Sequence, residues 1–288
     1  MIEIVYRYDP EDPPVRTQPA TADEARRRLE LGNLEFATLL DPQSGHAVDG
    51  SWVIPFDLED IGISRPGKAP RQRPYAAILG CSDARVPTEL IFSRACNEMF
   101  VVRVAGNVLG REGIGSLDYA VENLSDSLKL LVVLGHSQCG AVTAAADAFL
   151  KPASYLTVAN NHPLRSIVNS LFPAVRVAAD ALTRNWGADV ENRAGYRRAL
   201  IESAVGLNAA LTAAMLLQEM GRQSLGEIKV VYGVYDLVTR RVQGHSTQTP
   251  TEVPGVCLAD PPSDPQDVDR LGDRIARSPL IEKLLVAS

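Results

Sequence analysis

Cysteine is scarce in this sequence: Cys81, Cys96, Cys139 and Cys257 are the only four in 288 residues. So low a density excludes a disulfide scaffold of the kind small secreted domains build. It leaves thiols available for metal or catalytic work in a reducing compartment, and the expected location is the cytoplasm. An excess of basic charge is also missing. Lys and Arg number 29 against 35 Asp and Glu, a formal charge of −6, so nucleic acid is not an expected partner. The short runs Arg26-Arg27-Arg28 and Arg71-Gln72-Arg73 read as a solvated helix face and a loop. No uninterrupted apolar stretch reaches the roughly 18 residues of a membrane helix, so no membrane partner is expected. The opening residues Met1 to Arg7 have neither the basic nor the apolar region of a secretory signal.

Several catalytic signatures are absent too. There is no Cys-x-x-Cys for dithiol redox chemistry, no Walker A lysine motif and no Gly-x-Ser-x-Gly elbow. Gly110-Arg111-Glu112-Gly113-Ile114-Gly115 has the wrong spacing for a dinucleotide-binding turn.

What is present is an ordinary globular composition, 45% hydrophobic and 22% charged, which allows a packed core. Residues 1–20, rich in Pro and charge, read as an extended N-terminal arm. Thr21 and Glu24 form a capping box, and a helix is expected from Ala22 to about Leu40, with Ala25, Leu29, Leu31, Leu34 and Phe36 as its apolar face. Asp41 to Pro74 is punctuated by Pro and Gly and reads as irregular. Four short apolar runs follow: Tyr75–Leu79, Met99–Val104, Leu130–Leu134 and Ile228–Gly233. None alternates cleanly, as expected for strands buried on both faces. Helix-compatible stretches at Thr88–Ala95, Gly115–Leu124, Ala141–Leu150 and Tyr196–Met220 separate them. The rhythm predicts an α/β fold, a mainly parallel central β-sheet flanked by helices. Lys151 to Gly195 reads as helices on the outside of the sheet, broken at Pro163, Pro173 and Gly187. Asp264 and Pro265 signal a last helix. The expected division is an arm at 1–20, a catalytic domain at 21–250, and a C-terminal extension with a helix at 251–288.

Cys81, Asp83 and Arg85 leave the end of the first predicted core strand, and His136 and Cys139 leave the end of the third. Loops at the carboxyl ends of parallel strands gather along one edge, where ligands bind. Two sulfurs and an imidazole therefore meet there. Three protein ligands leave a fourth tetrahedral position open, the mark of a catalytic zinc, and soft sulfur with imidazole selects zinc over magnesium or calcium. Cys96 and Cys257 are read as small buried hydrophobes. His46, His162 and His245 show no chelating neighbour and are assigned to surface or core.

Four segments together resemble the β-carbonic anhydrases: Cys81-Ser82-Asp83-Ala84-Arg85-Val86-Pro87, Phe100 to Asn107, Ser116 to Val121, and Gly135-His136-Ser137-Gln138-Cys139-Gly140-Ala141-Val142. Val231 to Leu237 and Leu31 to Phe36 are similar to further family segments, and the resemblance spans about residues 22–245. It implies one Zn2+ per subunit on Cys81, His136 and Cys139, with Asp83, held by Arg85, accepting a hydrogen bond from the reacting water. It implies a substrate pocket for carbon dioxide and bicarbonate formed by Gln72, Phe100, Tyr119 and Gly140. It also implies a homodimer or higher even oligomer with sites at the subunit interface.

In one branch of that family the aspartate leaves its arginine and becomes a fourth metal ligand, and a tryptophan stands three residues before the first cysteine. Ile78 stands there in this chain, so Asp83 is expected to rest on Arg85, and its role as fourth ligand belongs to a closed state. Ala84 and Asn97-Glu98 depart from the family's usual serine and Gly-Asp. The implied activity is reversible hydration of carbon dioxide, that of a carbonate dehydratase. Hydrolysis of carbonyl sulfide or carbon disulfide on the same site, and a catalytically silent zinc-binding regulatory protein, are the alternatives.

Overall fold

A computed structural model describes residues 3–11, 17–39, 51–63, 67–156, 160, 162–245 and 258–286; His46 and Cys257 lie outside them. Among the described residues the elements run β1 (Glu3–Arg7), α1 (Ala22–Ala37), β2 (Ser51–Pro55), β3 (Ala76–Gly80), α2 (Thr88–Ile91), β4 (Met99–Arg103), α3 (Arg111–Asn123), β5 (Leu130–His136) and α4 (Gly140–Leu150). There follow α5 (His162–Trp186), α6 (Tyr196–Met220), α7 (Arg222–Leu225), β6 (Lys229–Tyr235), β7 (Val242–Gln243), α8 (Pro265–Ala276) and α9 (Pro279–Val286). The main sheet has the order β4-β3-β5-β6-β7, parallel throughout except for β7.

β3 and β5 are buried along their whole length because they sit inside the sheet, whereas β4, at the edge, is half-buried. Successive side chains on a strand point to opposite faces, and the core divides accordingly. Ala77, Leu79, Leu131 and Val133 pack towards α3, α4, α5, α6, α8 and α9. Ala76, Ile78, Leu130, Val132 and Leu134 pack towards α1 and α2.

The N-cap of α1 is Thr21, whose Oγ1 accepts from Glu24 N–H at 3.2 Å, while the Glu24 carboxylate accepts from Ala20 N–H at 2.9 Å. The apolar face differs from expectation. Leu31 is half exposed, and Gly32 and Asn33 are buried instead. Gly32 lies against the Phe92 carbonyl, where a Cβ has no room. Asn33 donates to the carbonyls of Ile91 and Arg240 and accepts from Val242 N–H at 2.8 Å, tying α1 to α2 and β7.

Three further expectations are corrected. Part of the N-terminal arm is strand: β1 pairs in parallel with β2, inside the stretch read as irregular. β2 is held down by Trp52 and Ile54, which pack on Phe36, Leu39 and Ala95. Pro173 does not break α5, a continuous helix of 25 residues. Pro163 falls in its first turn, where a missing N–H is harmless, and buried Leu171, Ala174 and Val175 outweigh the bond lost at Pro173. Cys96 is exposed, not buried. It precedes Asn97, which has a φ of 66°, a left-handed conformation that asparagine tolerates. The Asn97 side chain fastens that turn to Arg73 N–H, Arg71 C=O and Asp60.

α6 is long and apolar enough, by length and composition, to cross a membrane. Of that apolar window, 72% is buried inside this fold, so the composition is that of a core helix. The C-terminal extension contains two helices, α8 and α9, with Asp264 accepting from Asp267 N–H at 2.8 Å as the N-cap of α8.

Candidate metal centre

β3 connects to β4 on one side, yet β5 lies on the other side of β3. The crevice where connections diverge is the usual ligand site of an open parallel sheet. Gly80 is in register with Leu134, so the loops after β3 and β5 leave the sheet side by side. This brings Cys81, His136 and Cys139 together, all buried, with their ligand atoms within 4.8 Å of one another.

The His136 ring is oriented by its own loop. Nδ1 lies 3.0 Å from the Ser137 carbonyl oxygen; a carbonyl only accepts, so Nδ1 is the donor and Nε2 is the nitrogen turned towards the sulfurs. Nε2 is buried and has no hydrogen-bond partner. An orphaned buried acceptor next to two sulfurs is what a metal ligand looks like before the ion is counted. The sulfurs are prepared as well. Cys81 Sγ accepts from Gly106 N–H at 3.3 Å, and the hydrogen bond from the Cys139 thiol pulls the Cys81 thiol down. The same contact, with burial, pushes Cys139 up. A dication bound there would displace the proton that remains on Cys139. Two cysteines and one histidine with one open position fit zinc.

Gly106 has a φ of 67°, and a Cβ there meets Ala141 Cβ at 3.1 Å and Leu171 Cδ1 at 3.3 Å; only glycine lets its N–H approach the sulfur. Its carbonyl accepts from Asn208 on α6 at 2.9 Å.

Asp83 stands at the mouth of the trio, with Oδ2 3.8 Å from His136 Nε2. Arg85 grips it with two guanidinium bonds, Nε to Oδ1 at 3.0 Å and Nη2 to Oδ2 at 2.7 Å, and adds its backbone N–H at 2.9 Å. Those bonds hold the Asp83 carboxyl far below the usual carboxylate range. Arg103 reaches from β4 to donate to the carbonyls of Cys81, at 2.9 Å, and Asp83. Gly140 opens α4 directly after Cys139.

The other residues expected in the substrate pocket lie elsewhere in the chain. Phe100 and Tyr119 do meet, with ring centroids 6.5 Å apart and 31° between planes. Phe100, however, is in register with Ala77, towards the amino end of the edge strand β4. Gln72 is exposed ahead of β3, at the end opposite Cys81. A cleft of about 410 Å³ opens at that amino end, lined by Arg28, Asp60, Arg71, Arg73, Asn97 and Glu98 among others, and it is separate from the metal trio. Of the remaining histidines, His162 is exposed and His245 is partly buried against α6 and α8; neither is near the trio.

Sequence reading missed Glu202 and Asn208 on α6, which hold the Gln138 N–H and the Gly106 carbonyl. The available signal was a carboxylate and an amide in the mostly apolar middle of a long helix.

A parallel α/β sheet with a buried two-cysteine, one-histidine set at its topological switch point defines a metalloenzyme type of centre, and the comparisons with known proteins agree. The family model described as carbonic anhydrase matches residues 76–242, more than half of the chain. Carbonic anhydrase 2 of Mycobacterium tuberculosis is 41% identical over 124 residues, 42% of this chain and 55% of the relative. The carbonic anhydrase of Mycolicibacterium smegmatis is 48% identical over 77 residues, 27% of this chain and 36% of the relative. This chain thus spans about half or less of the curated relatives it matches. The solved β-carbonic anhydrase CcaA aligns with 61% of this chain and 81% of its own, at 23% identity and a TM-score of 0.44. The chain belongs to the β-carbonic anhydrase family.

Proposed function

We propose that this protein catalyses the zinc-dependent, reversible hydration of carbon dioxide to bicarbonate and a proton. The observation that carries this reading is the pairing of a closed Cys81–His136–Cys139 set with a carboxylate gripped at its mouth, Asp83 on Arg85. A structural zinc has no use for that carboxylate.

Cys81, His136 and Cys139 would hold the zinc ion, which supplies Lewis acidity and lowers the pKa of water from 15.7 towards about 7. The protein does the rest. Asp83 is kept ionised by Arg85, so at neutral pH it only accepts hydrogen bonds. It takes the one from the reacting water and turns the oxygen lone pair outward to the carbon of the substrate. With both carboxylate oxygens held by Arg85, Asp83 rests beside the metal site as a positioned acceptor. Ile78, where the closing branch of the family has tryptophan, is fully buried in β3 and offers no N–H to a bicarbonate pocket. Carbon dioxide itself is small and apolar and needs a dry wall more than hydrogen bonds.

The placement of Gln72, Phe100 and Tyr119 supports a homodimer or higher even oligomer. Within one chain they lie away from the metal, so they serve a pocket by reaching the site of a second copy. Sedimentation of the purified protein at micromolar concentration is expected to give a dimer or a multiple of it. An active monomer would contradict that assembly. The activity is tested by Asp83→Asn, which is expected to keep zinc and lose hydration. Near-normal turnover in that variant removes Asp83 from the mechanism.

A further inference from the structure

Gln138 lies between two metal-ligating residues, and its backbone is left-handed, with a φ of 56°. A non-glycine residue persists in that region only where its surroundings over-determine it. Three contacts do so from the sheet side. Ser137 N–H donates to Tyr235 C=O at 2.9 Å, Ser137 Oγ accepts from Leu237 N–H at 2.9 Å, and the Gln138 carbonyl accepts from Arg85 at 3.5 Å. The fourth contact comes from α6. Gln138 N–H donates to Glu202 Oε1 at 3.1 Å.

We propose that Glu202 is a positioning residue of the metal centre: by accepting from Gln138 N–H it fixes the left-handed peptide that carries Cys139 back towards Cys81 and His136. This rests on the reading of that trio as a zinc site. Rotation about Gln138 φ swings everything that follows it, and Cys139 is the next residue. Gln138 N–H belongs to the peptide before that bond and its carbonyl to the peptide after it, so the Glu202 tether fixes the first plane while Arg85 holds the second, and together they set where the second sulfur stands. Glu202 is partly buried, and burial pushes its carboxyl up from the ordinary value. The Gln138 N–H bond works against that cost, and it is the hydrogen bond that ties Glu202 to the loop.

Groups that orient metal ligands from behind typically contribute 10–100-fold in metal affinity. Three variants separate reach from charge in the full-length protein. Glu202→Ala removes the acceptor. Glu202→Asp keeps the charge but withdraws the oxygen by one methylene. Glu202→Gln keeps an oxygen at the same reach and removes the charge. Zinc affinity is measured by competition with a chromophoric chelator, and the cobalt(II) form is examined for its thiolate charge-transfer band.

The expected result is a loss of about 10–100-fold for Ala and Asp, with a displaced cobalt band, and affinity within about threefold of wild type for Gln. Wild-type affinity and spectrum in the Asp variant would overturn the proposal, as would a Gln variant as weak as Ala. If Ala fails to fold, the Asp and Gln pair still decides. Hydration activity is not the readout, so a wild-type protein that holds zinc without hydrating carbon dioxide would contradict the proposed activity and leave this inference standing. Absence of zinc on the wild-type protein would overturn both, and that arm is read before any variant.

Discussion

The loop after β3 and the loop after β5 each deliver one sulfur to the same point, but they are anchored by different chemistry. Around Cys81 the anchors are guanidinium groups: Arg85 forks onto Asp83, and Arg103 holds the Cys81 and Asp83 carbonyls. Around Cys139 the anchors are neutral bonds of Ser137 to β6 and the segment after it and one carboxylate from α6, with Arg85 reaching the Gln138 carbonyl only at 3.5 Å. The first loop also presents the proposed catalytic carboxylate, at the mouth of the site. The second is more deeply set, with His136 fully buried and Cys139 nearly so. The first loop therefore ties its sulfur closely to the charge at the mouth, and the second meets that charge only through the long Arg85 contact. Damage to the two is expected to separate into different phenotypes.

The largest expected effect abolishes the distinction. Cys81→Ala or Cys139→Ala takes away one of three protein ligands, and zinc per chain is expected to fall from one towards zero with hydration falling to the buffer rate; elemental analysis and a stopped-flow assay check it. Next is Asp83→Asn, confined to the first loop. Zinc content is expected to stay at one per chain while kcat/KM drops by about 100-fold or more, because an amide cannot accept from water and from Arg85 as a carboxylate does. Arg103→Ala sharpens the comparison further. It is expected to weaken zinc by about tenfold and to lower turnover as well, since Asp83 loses a backbone anchor. Ser137→Ala, on the second loop, is expected to lower stability by about 1 kcal/mol and to leave the Asp83-dependent step intact in the metal-loaded enzyme.

The smallest effect lies outside both loops. Burial lowers His245 from 6.5 to about 4. Between those values the unfolded chain binds the proton and the folded chain does not, so stability falls as pH drops from about 6.5 to about 4. Thermal melts across that window are expected to show a shallower pH slope for His245→Gln than for wild type.

Much of this was legible in sequence for a physical reason. β3 is short, apolar and followed at once by Cys81, and β5 is apolar up to the His136 that ends it, so the sheet and its ligand-bearing edge are written locally. The caps at Thr21 and Asp264 are equally local, each completed within three residues. What was hidden depends on distant partners. β1 finds β2 with paired residues 48 positions apart, and nothing in Glu3–Arg7 names that partner. Pro173 reads as a breaker until the burial of its neighbours is known. Cys96 reads as core until the Asn97 turn lifts it to the surface. Glu202 and Gln138 are 64 residues apart, and neither residue type points to the other. Gln72, Phe100 and Tyr119 were legible through the family resemblance, but their place at the amino end of the sheet appeared only in three dimensions.

The central claim is that the buried trio and the gripped Asp83 together form a carbon dioxide hydration site. The most direct measurement is stopped-flow hydration by purified full-length protein at several zinc loadings set with a chelator and verified by elemental analysis. The expected result is a rate that rises in proportion to bound zinc, up to one ion per chain, and collapses in Asp83→Asn at the same loading. Fully zinc-loaded wild-type protein with no rate above buffer would contradict it.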